Sequence, residues 1–314
     1  MQQCHSIAKR GIGTVSPNPP VGALIKVDDQ ILSTGYHKSY GGPHAEIQAI
    51  KNALEFQPDL LTRSTLYVSL EPCCHYGKTP PCVNEIIDRG IPKVVFGCYD
   101  PHPLVSGKGA EYLRKAGIEV VGPLLEKESL DLISAFTTNS KEYRPYIILK
   151  WAQSSDGFIS RLGERTAISQ SETAILAHKW RSEADGILIG RTTYEIDQPM
   201  LNNRFYAGKS PQVFVLSSDP AFNTKEKWTV INSNNSSEFQ KKISDLLKLK
   251  IGILLVEGGS KTIQLFLDLG LWDEARIITN SKSLQNGLKA PVCTGVLKEK
   301  YTLAKDLICV LKRK

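Results

Sequence analysis

Nothing in the 314-residue sequence approaches the roughly 18 consecutive apolar residues of a membrane span; the densest apolar runs, 251–256 and 146–149, are strand-sized. Residues 1–13 lack the long apolar stretch of a secretory signal, so a cytoplasmic chain is expected. No internal repeat is visible, and 24 glycines with 17 prolines are too few for a low-complexity chain. A concentrated basic patch is also missing. The net charge of +7 is spread along the chain, and only Lys312-Arg313-Lys314 forms a purely cationic run. That argues against a nucleic-acid partner and suits a small phosphorylated substrate. Seven cysteines, an odd number, argue against a disulfide framework.

The remaining composition is that of an ordered protein. Apolar residues make up 41% and charged residues 23%, and at roughly 150 residues per domain the length implies two domains. In the first half, residues 21–27 and 31–35 read as strands joined by the Asp28-Asp29 turn, followed by a helix over 44–56 and a strand over 65–70. Pro80-Pro81 opens a further helix that Gly90 closes; a strand at 94–97, a helix at 107–116 and a strand at 118–121 follow. Residues 124–141 read as one helix, and 141–145 as a domain boundary, dividing the chain into 1–143 and 144–314. Beyond it come strands at 146–152, 186–189, 213–216, 228–231, 252–257 and 274–279, with helices at 172–181, 238–247 and 260–269. Strands and helices alternating at this spacing give two α/β domains.

Cysteines 73, 74 and 82 crowd together and point to a metal. A catalytic zinc takes three protein ligands and keeps one position open for water, a count that His44, Cys73 and Cys82 satisfy. Glu46, two residues past the histidine at a helix start, lies beside the metal without ligating it and is suited to move protons. Histidine-x-glutamate followed by proline-cysteine is the arrangement of the zinc deaminases that act on nucleobases. Cys74 points away from Cys73 and is read as a bystander. The trio alone leaves cytosine, guanine, adenosine and deoxycytidylate deamination open.

The surroundings narrow this. Pro17-Asn18-Pro19-Pro20, Gly35-Tyr36-His37, Gly42-Pro43-His44-Ala45-Glu46, the run from Leu70-Glu71-Pro72-Cys73 to Pro80-Pro81-Cys82, and Asp100-Pro101 occur in succession. Together they resemble the deaminase half of the bifunctional deaminase/reductases of riboflavin biosynthesis. The long loop between the two cysteines, bearing His75 and Lys78, is the discriminating part. The resemblance implies that Asn18, His37, His75 and Lys78 line the pyrimidine and ribose-phosphate pocket. An amide such as that of Asn18 can pair with a pyrimidine edge, and an ammonium such as that of Lys78 offers a point charge to phosphate. Where the family tends to have asparagine after Asp100-Pro101, this chain has His102.

The resemblance continues past residue 145. Pro145 to Gly157, His178-Lys179-Trp180-Arg181, Asp185 to Thr193, Asp197 to Asn202 with Arg204, and Val256-Glu257-Gly258-Gly259-Ser260 are similar to the family's dihydrofolate-reductase-like half. Gly258 and Gly259 suit close backbone approach, and the free amides of the helix that follows suit a cofactor phosphate. The resemblance implies NADPH contacts at Ala152, Thr193, Asp197, Gly259, Ser260, Lys261, Thr262, Ile263, Gln264 and Leu265. It implies substrate contacts at Arg165, Arg181, Leu201, Arg204 and Glu257. Ala167 stands where the family usually has tryptophan, and Gln198 where it has an acid.

The fold thus expected is a cytidine-deaminase-like α/β/α sandwich followed by a dihydrofolate-reductase-like α/β domain. The activity expected is zinc-dependent deamination of a phosphorylated pyrimidine, then NADPH-dependent reduction of its ribosyl group. Membrane and nucleic acid are not expected partners, and a homo-oligomer is left open. Two alternatives stand beside this reading: a deaminase whose second half no longer reduces, and a tRNA or nucleobase deaminase carrying an accessory domain.

Overall fold

Asp28, at φ 49°, turns the chain between β1 (Gly22–Val27) and β2 (Gln30–Tyr36), which pair antiparallel; aspartate adopts this left-handed conformation more readily than most residues. The computed structural model describes every residue except Leu104, Arg165, Lys227 and Asn234, and its contacts divide into two units, Met1–Tyr143 and Arg144–Lys314. Among the described residues no helix is long and apolar enough to cross a membrane.

In the first unit α1 (Gln2–Ala8) packs on β1, and α2 (Ala45–Phe56) packs on β1 and β2. The other edge of β1 takes β3 (Thr65–Val68) antiparallel. After α3 (Cys82–Asp88), β4 (Lys93–Phe96) joins β3 in parallel; after α4 (Lys108–Lys115), β5 (Glu119–Val121) joins β4. The resulting order is β2-β1-β3-β4-β5. Ile25, Ile50, Leu66, Ile86, Phe96 and Leu113, all fully buried, form its core. The segment read as one helix over 124–141 is two, α5 (Glu126–Leu132) and α6 (Ser134–Glu142). The break is at Ile133, a fully buried residue outside helical geometry at φ −101°, ψ 18°.

The second unit is built on β6 (Tyr146–Gln153), whose nearly unbroken apolar run is that of a strand buried on both faces. It continues through β7 (Phe158–Ser160), α7 (Ser171–Glu183), β8 (Gly186–Gly190), α8 (Arg191–Asp197), β9 (Gln212–Ser217) and β10 (Thr229–Asn232). Then come α9 (Ser236–Asp245), β11 (Ile253–Val256), α10 (Ser260–Asp268), β12 (Glu274–Asn280), β13 (Leu288–Lys289), β14 (Val296–Leu303) and β15 (Asp306–Lys312). Eight strands pair in the order β10-β9-β8-β11-β6-β12-β15-β14. The first six run parallel, and β15 and β14 close the sheet antiparallel.

Buried charge ties this unit together. Asp273 receives a two-pronged hydrogen bond from Arg144 at 2.6 and 2.9 Å and a third from the Ile147 backbone at 2.7 Å. Glu274 lies 2.6 Å from Arg276 and 3.1 Å from Lys312. Glu257 takes both prongs of Arg181, at 2.9 and 2.7 Å. Burial alone would raise the Glu257 and Glu274 carboxyls, but their cations (Lys150 and Arg181 about Glu257, Arg276 and Lys312 about Glu274) outweigh it and hold both at about 2.

A carboxyl held below its ordinary value of 4.5 contributes stability that is present above 4.5 and fades as pH falls toward 2. Thermal unfolding followed from pH 7 to pH 2 is therefore expected to show the second unit losing stability below about pH 4.5. Glu274→Gln is expected to lower stability at pH 7 by about 2 kcal/mol, because Arg276 loses its nearer carboxylate and keeps only Glu183 at 3.5 Å, and to flatten that acid limb. An acid limb unchanged in this variant would remove Glu274 as a source of the effect.

Candidate functional site

The metal-ligand candidates come from three elements brought to one point. β2 carries Gly35 where α2 begins its first turns; a Cβ there would lie 2.4 Å from both the Ala45 carbonyl oxygen and the Ala49 nitrogen. With no side chain between them, helix and strand touch along their backbones. Ser33 donates to the Ala49 carbonyl at 2.7 Å and Asn52 to the Thr34 carbonyl at 2.8 Å. This seats His44 as the residue preceding α2 and buries Glu46 in its first turn. Cys73 lies in the loop after β3, and Cys82 is the first residue of α3, entered through Pro80-Pro81.

One ligand atom from each of His44, Cys73 and Cys82 lies within 4.8 Å of the others. The Nδ1 of His44 is 3.5 Å from the Cys73 sulfur and 3.3 Å from the Cys82 sulfur, and the Cys82 backbone N–H points at the Cys73 sulfur at 3.3 Å. The Cys82 thiol, then His44, hold the Cys73 thiol at about 4 against the effect of burial. Cys82 is pushed the opposite way, by Cys73 and by burial. His44 is raised to about 8, chiefly by its contact with Cys73, and burial pushes the Glu46 carboxyl up. One imidazole nitrogen and two sulfurs, with a thiolate favoured among them, are a borderline-soft donor set that fits zinc. Cys74 is outside the trio and packs against the apolar core.

A cavity of about 260 Å³ opens over the trio. Asn18, His37, His75 and Lys78 all line it, as do Glu46 and Cys73. His37 is buried; its Nδ1 meets the Pro43 carbonyl at 2.9 Å and its Nε2 meets the Asn18 amide at 3.1 Å. With Nδ1 donating to that carbonyl, Nε2 is the acceptor, so the Asn18 amide is held in one orientation. Burial lowers the His37 pKa, which favours this neutral form. Tyr40, Glu71, Thr79, Asp100 and Phe136 also line the cavity, and no role was read for them from sequence. Glu71 accepts hydrogen bonds from the backbones of Asp100, Gly107 and Ala110 at 3.2, 2.9 and 3.0 Å, tying the Asp100 loop and the start of α4 to the Cys73 loop. A glutamate beside Pro72-Cys73 was the only sequence signal for it.

A second, larger cleft of about 1040 Å³ lies in the second unit. Ala152, Thr193, Asp197, Gly259, Ser260, Lys261, Thr262, Ile263 and Leu265 line it, and so do Arg181, Leu201, Arg204 and Glu257. Gln264 does not; its side chain reaches Asp268 at 2.7 Å and the Val292 backbone at 3.3 Å on α10's other side. Arg165 lies outside the described residues. A Cβ on Gly258 would sit 2.5 Å from Ile189 and 2.7 Å from Gly190, so this glycine lets the turn before α10 press against the end of β8. The Gly259 N–H donates to the Thr193 hydroxyl at 2.9 Å. Arg181 is gripped by Glu257, whereas Arg204 is exposed, 2.9 Å from the Asn202 amide oxygen and stacked on Phe205. Lys150, 3.8 Å from Glu257, and His178 also line the cleft. Its volume, basic lining and helix N-terminus fit a dinucleotide phosphate.

Residues 1–98 match the cytidine and deoxycytidylate deaminase zinc-binding region, and residues 145–308 match the RibD C-terminal domain. The riboflavin biosynthesis protein RibD of Aquifex aeolicus is 37% identical, over 92% of this chain and 88% of its own length. That of Actinobacillus pleuropneumoniae is 36% identical, over 84% and 71%. The crystal structure of the diaminohydroxyphosphoribosylaminopyrimidine deaminase/5-amino-6-(5-phosphoribosylamino)uracil reductase from Thermotoga maritima superposes with a TM-score of 0.91 at 31% identity, over 100% of this chain and 97% of that one. A cytidine-deaminase-like domain and a reductase domain thus follow one another here. The chain belongs to the RibD family, bifunctional enzymes of riboflavin biosynthesis that deaminate and then reduce their substrate, with zinc and NADPH as cofactors.

Proposed function

We propose that residues 1–143 carry the deaminase and residues 144–314 the reductase, acting in turn on one phosphorylated pyrimidine in a cytoplasmic setting. The first substrate is 2,5-diamino-6-(5-phosphoribosylamino)pyrimidin-4-one, and the final product is 5-amino-6-(5-phosphoribitylamino)uracil. The observation that carries the deaminase assignment is that buried Glu46 lines the same cavity as His44 and Cys73, which with Cys82 bring their ligand atoms within 4.8 Å of one another. Those three residues hold zinc, which supplies Lewis-acid polarisation when bound. Glu46 takes a proton from the attacking water and returns it to the amino group that leaves as ammonia, so a C–O bond replaces a C–N bond with no net proton change. A carboxyl already pushed up by burial is suited to that shuttle. Asn18, fixed by His37, pairs with the pyrimidine edge; His75 and Lys78 face the ribose-phosphate.

In the second unit NADPH supplies the hydride that converts ribosyl to ribityl. Ala152, Thr193, Asp197 and the stretch Gly259, Ser260, Lys261, Thr262, Ile263 and Leu265 hold the cofactor, the backbone amides that open α10 facing a phosphate. Leu201 and Glu257 shape the substrate side, with Arg181 oriented by Glu257. Arg204, exposed at the cleft and carrying no carboxylate ion pair among the described residues, takes the substrate phosphate.

Elemental analysis of the purified chain is expected to give one zinc, lost in Cys73→Ala and in Cys82→Ala but kept in Cys74→Ala. A zinc-replete Cys82→Ala chain would refute this ligand set. Glu46→Gln is expected to keep zinc while ammonia release falls by about 10²- to 10⁴-fold, the usual contribution of a general acid–base group; near-parental release would exclude the shuttle. Arg204→Ala is expected to raise KM for the deaminated substrate about 10- to 100-fold, as for a lost charge-assisted hydrogen bond, with NADPH binding measured by fluorescence unchanged. Equal weakening of cofactor and substrate would reassign Arg204.

A further inference from the structure

Among the described residues lining the deaminase cavity, Lys78 is the one lysine or arginine, whereas three carboxylates, Glu46, Glu71 and Asp100, line the same space. A cation that must meet a phosphate there has to be kept at a defined place on the wall. Lys78 itself is poorly placed to ensure this. It is exposed, on a long flexible stem, in a loop with no helix or strand between Cys73 and Cys82, and it forms no salt bridge among the described residues. What it does meet is Tyr40. Its ammonium sits 4.1 Å from the centre of the Tyr40 ring, and its stem runs over Gly41, where a Cβ would lie 3.3 Å from the Lys78 Cδ. Tyr40 belongs to the turn between β2 and α2, anchored by its backbone N–H to the Thr14 carbonyl at 3.3 Å. That turn is fixed at one end by His37 and at the other by His44.

We propose that Tyr40 is a positioning residue of the deaminase, its ring holding the Lys78 ammonium at the cavity wall to receive the substrate phosphate. The inference rests on the assignment of Lys78 to that phosphate. An aromatic face attracts an ammonium without neutralising it. The ring therefore occupies one side of the cation and leaves its N–H groups and its full charge to phosphate oxygens, whereas a carboxylate partner would cancel that charge. Holding the side chain in advance removes part of the ordering that binding would otherwise require. Tyr40 thereby acts on recognition of the phosphate and not on proton transfer at Glu46.

The experiment measures ammonia release by the full-length zinc-loaded protein, with the phosphorylated pyrimidine and with its dephosphorylated form. Tyr40→Leu is expected to raise KM for the phosphorylated substrate about 2- to 5-fold, the value of an exposed cation–π contact, with kcat little changed. Tyr40→Phe, which keeps the ring, restores the parental KM, and the rise is absent with the dephosphorylated form. Lys78→Ala raises KM for the phosphorylated substrate further, and adding Tyr40→Leu to it changes nothing more, because the two residues act as one unit. Additive effects of the two substitutions, or an equal rise in KM for both substrates, would overturn the role of Tyr40. A Lys78→Ala enzyme with parental KM would instead overturn the phosphate assignment on which it rests.

Discussion

The first unit depends on a backbone-to-backbone contact: α2 lies on β2 at Gly35 with no side chain between them. That contact decides where the helix begins, and so decides that His44 ends the preceding turn facing the two sulfurs while Glu46 is already buried one step inside. Any side chain at Gly35 would push the helix outward and move the imidazole and the carboxylate together, away from Cys73 and Cys82, which are held by separate elements. The three-residue ligand set is thus a product of packing before it is a product of chemistry.

Both units solve the same electrostatic problem in opposite ways. Burying a charge is tolerated only when it is paired or coordinates a metal. The second unit supplies its own cations: Glu257, Glu274 and Asp273 each face an arginine. The first unit gathers Cys73, Cys82 and Glu46 around a single imidazole, a set richer in acids than in bases, and the missing charge is that of a divalent ion. The difference separates a scaffold, complete by itself, from a centre that calls for a cofactor.

What could be read from the sequence follows the range over which residues cooperate. His44 with Glu46, and Cys73 with Cys82, are each close in sequence and sit at ends of elements that proline and apolar periodicity mark, so the trio was legible. The parallel strands were legible as apolar runs. β14 was not: its residues are exposed almost throughout, so burial imposes no pattern on them. Nor was α8, a seven-residue helix with no buried residue. The resemblance implied a substrate contact at Arg181. Its grip on Glu257, 76 positions away, is a tertiary fact that no local pattern announces. Gln264, a cofactor contact implied by the resemblance, is absent from the cleft lining, its side chain engaged by Asp268 and the Val292 backbone. Glu71 was within a motif already noted and Tyr40 lay between two of them, unremarked; what they hold became visible only with the fold.

The place of β15 has a consequence for how the chain is made. It is the last strand in chain order, yet it pairs between β12 and β14 rather than at the sheet's edge. During synthesis the first unit has all its strands once residue 121 has emerged, and domains commonly fold in that order as the ribosome delivers them. The second unit has no such early completion. Until residues 306–312 are free of the ribosome, β12 presents an unpaired edge, the kind of surface that recruits strands from other chains. In the interval between the two events the nascent second unit carries that edge in the open.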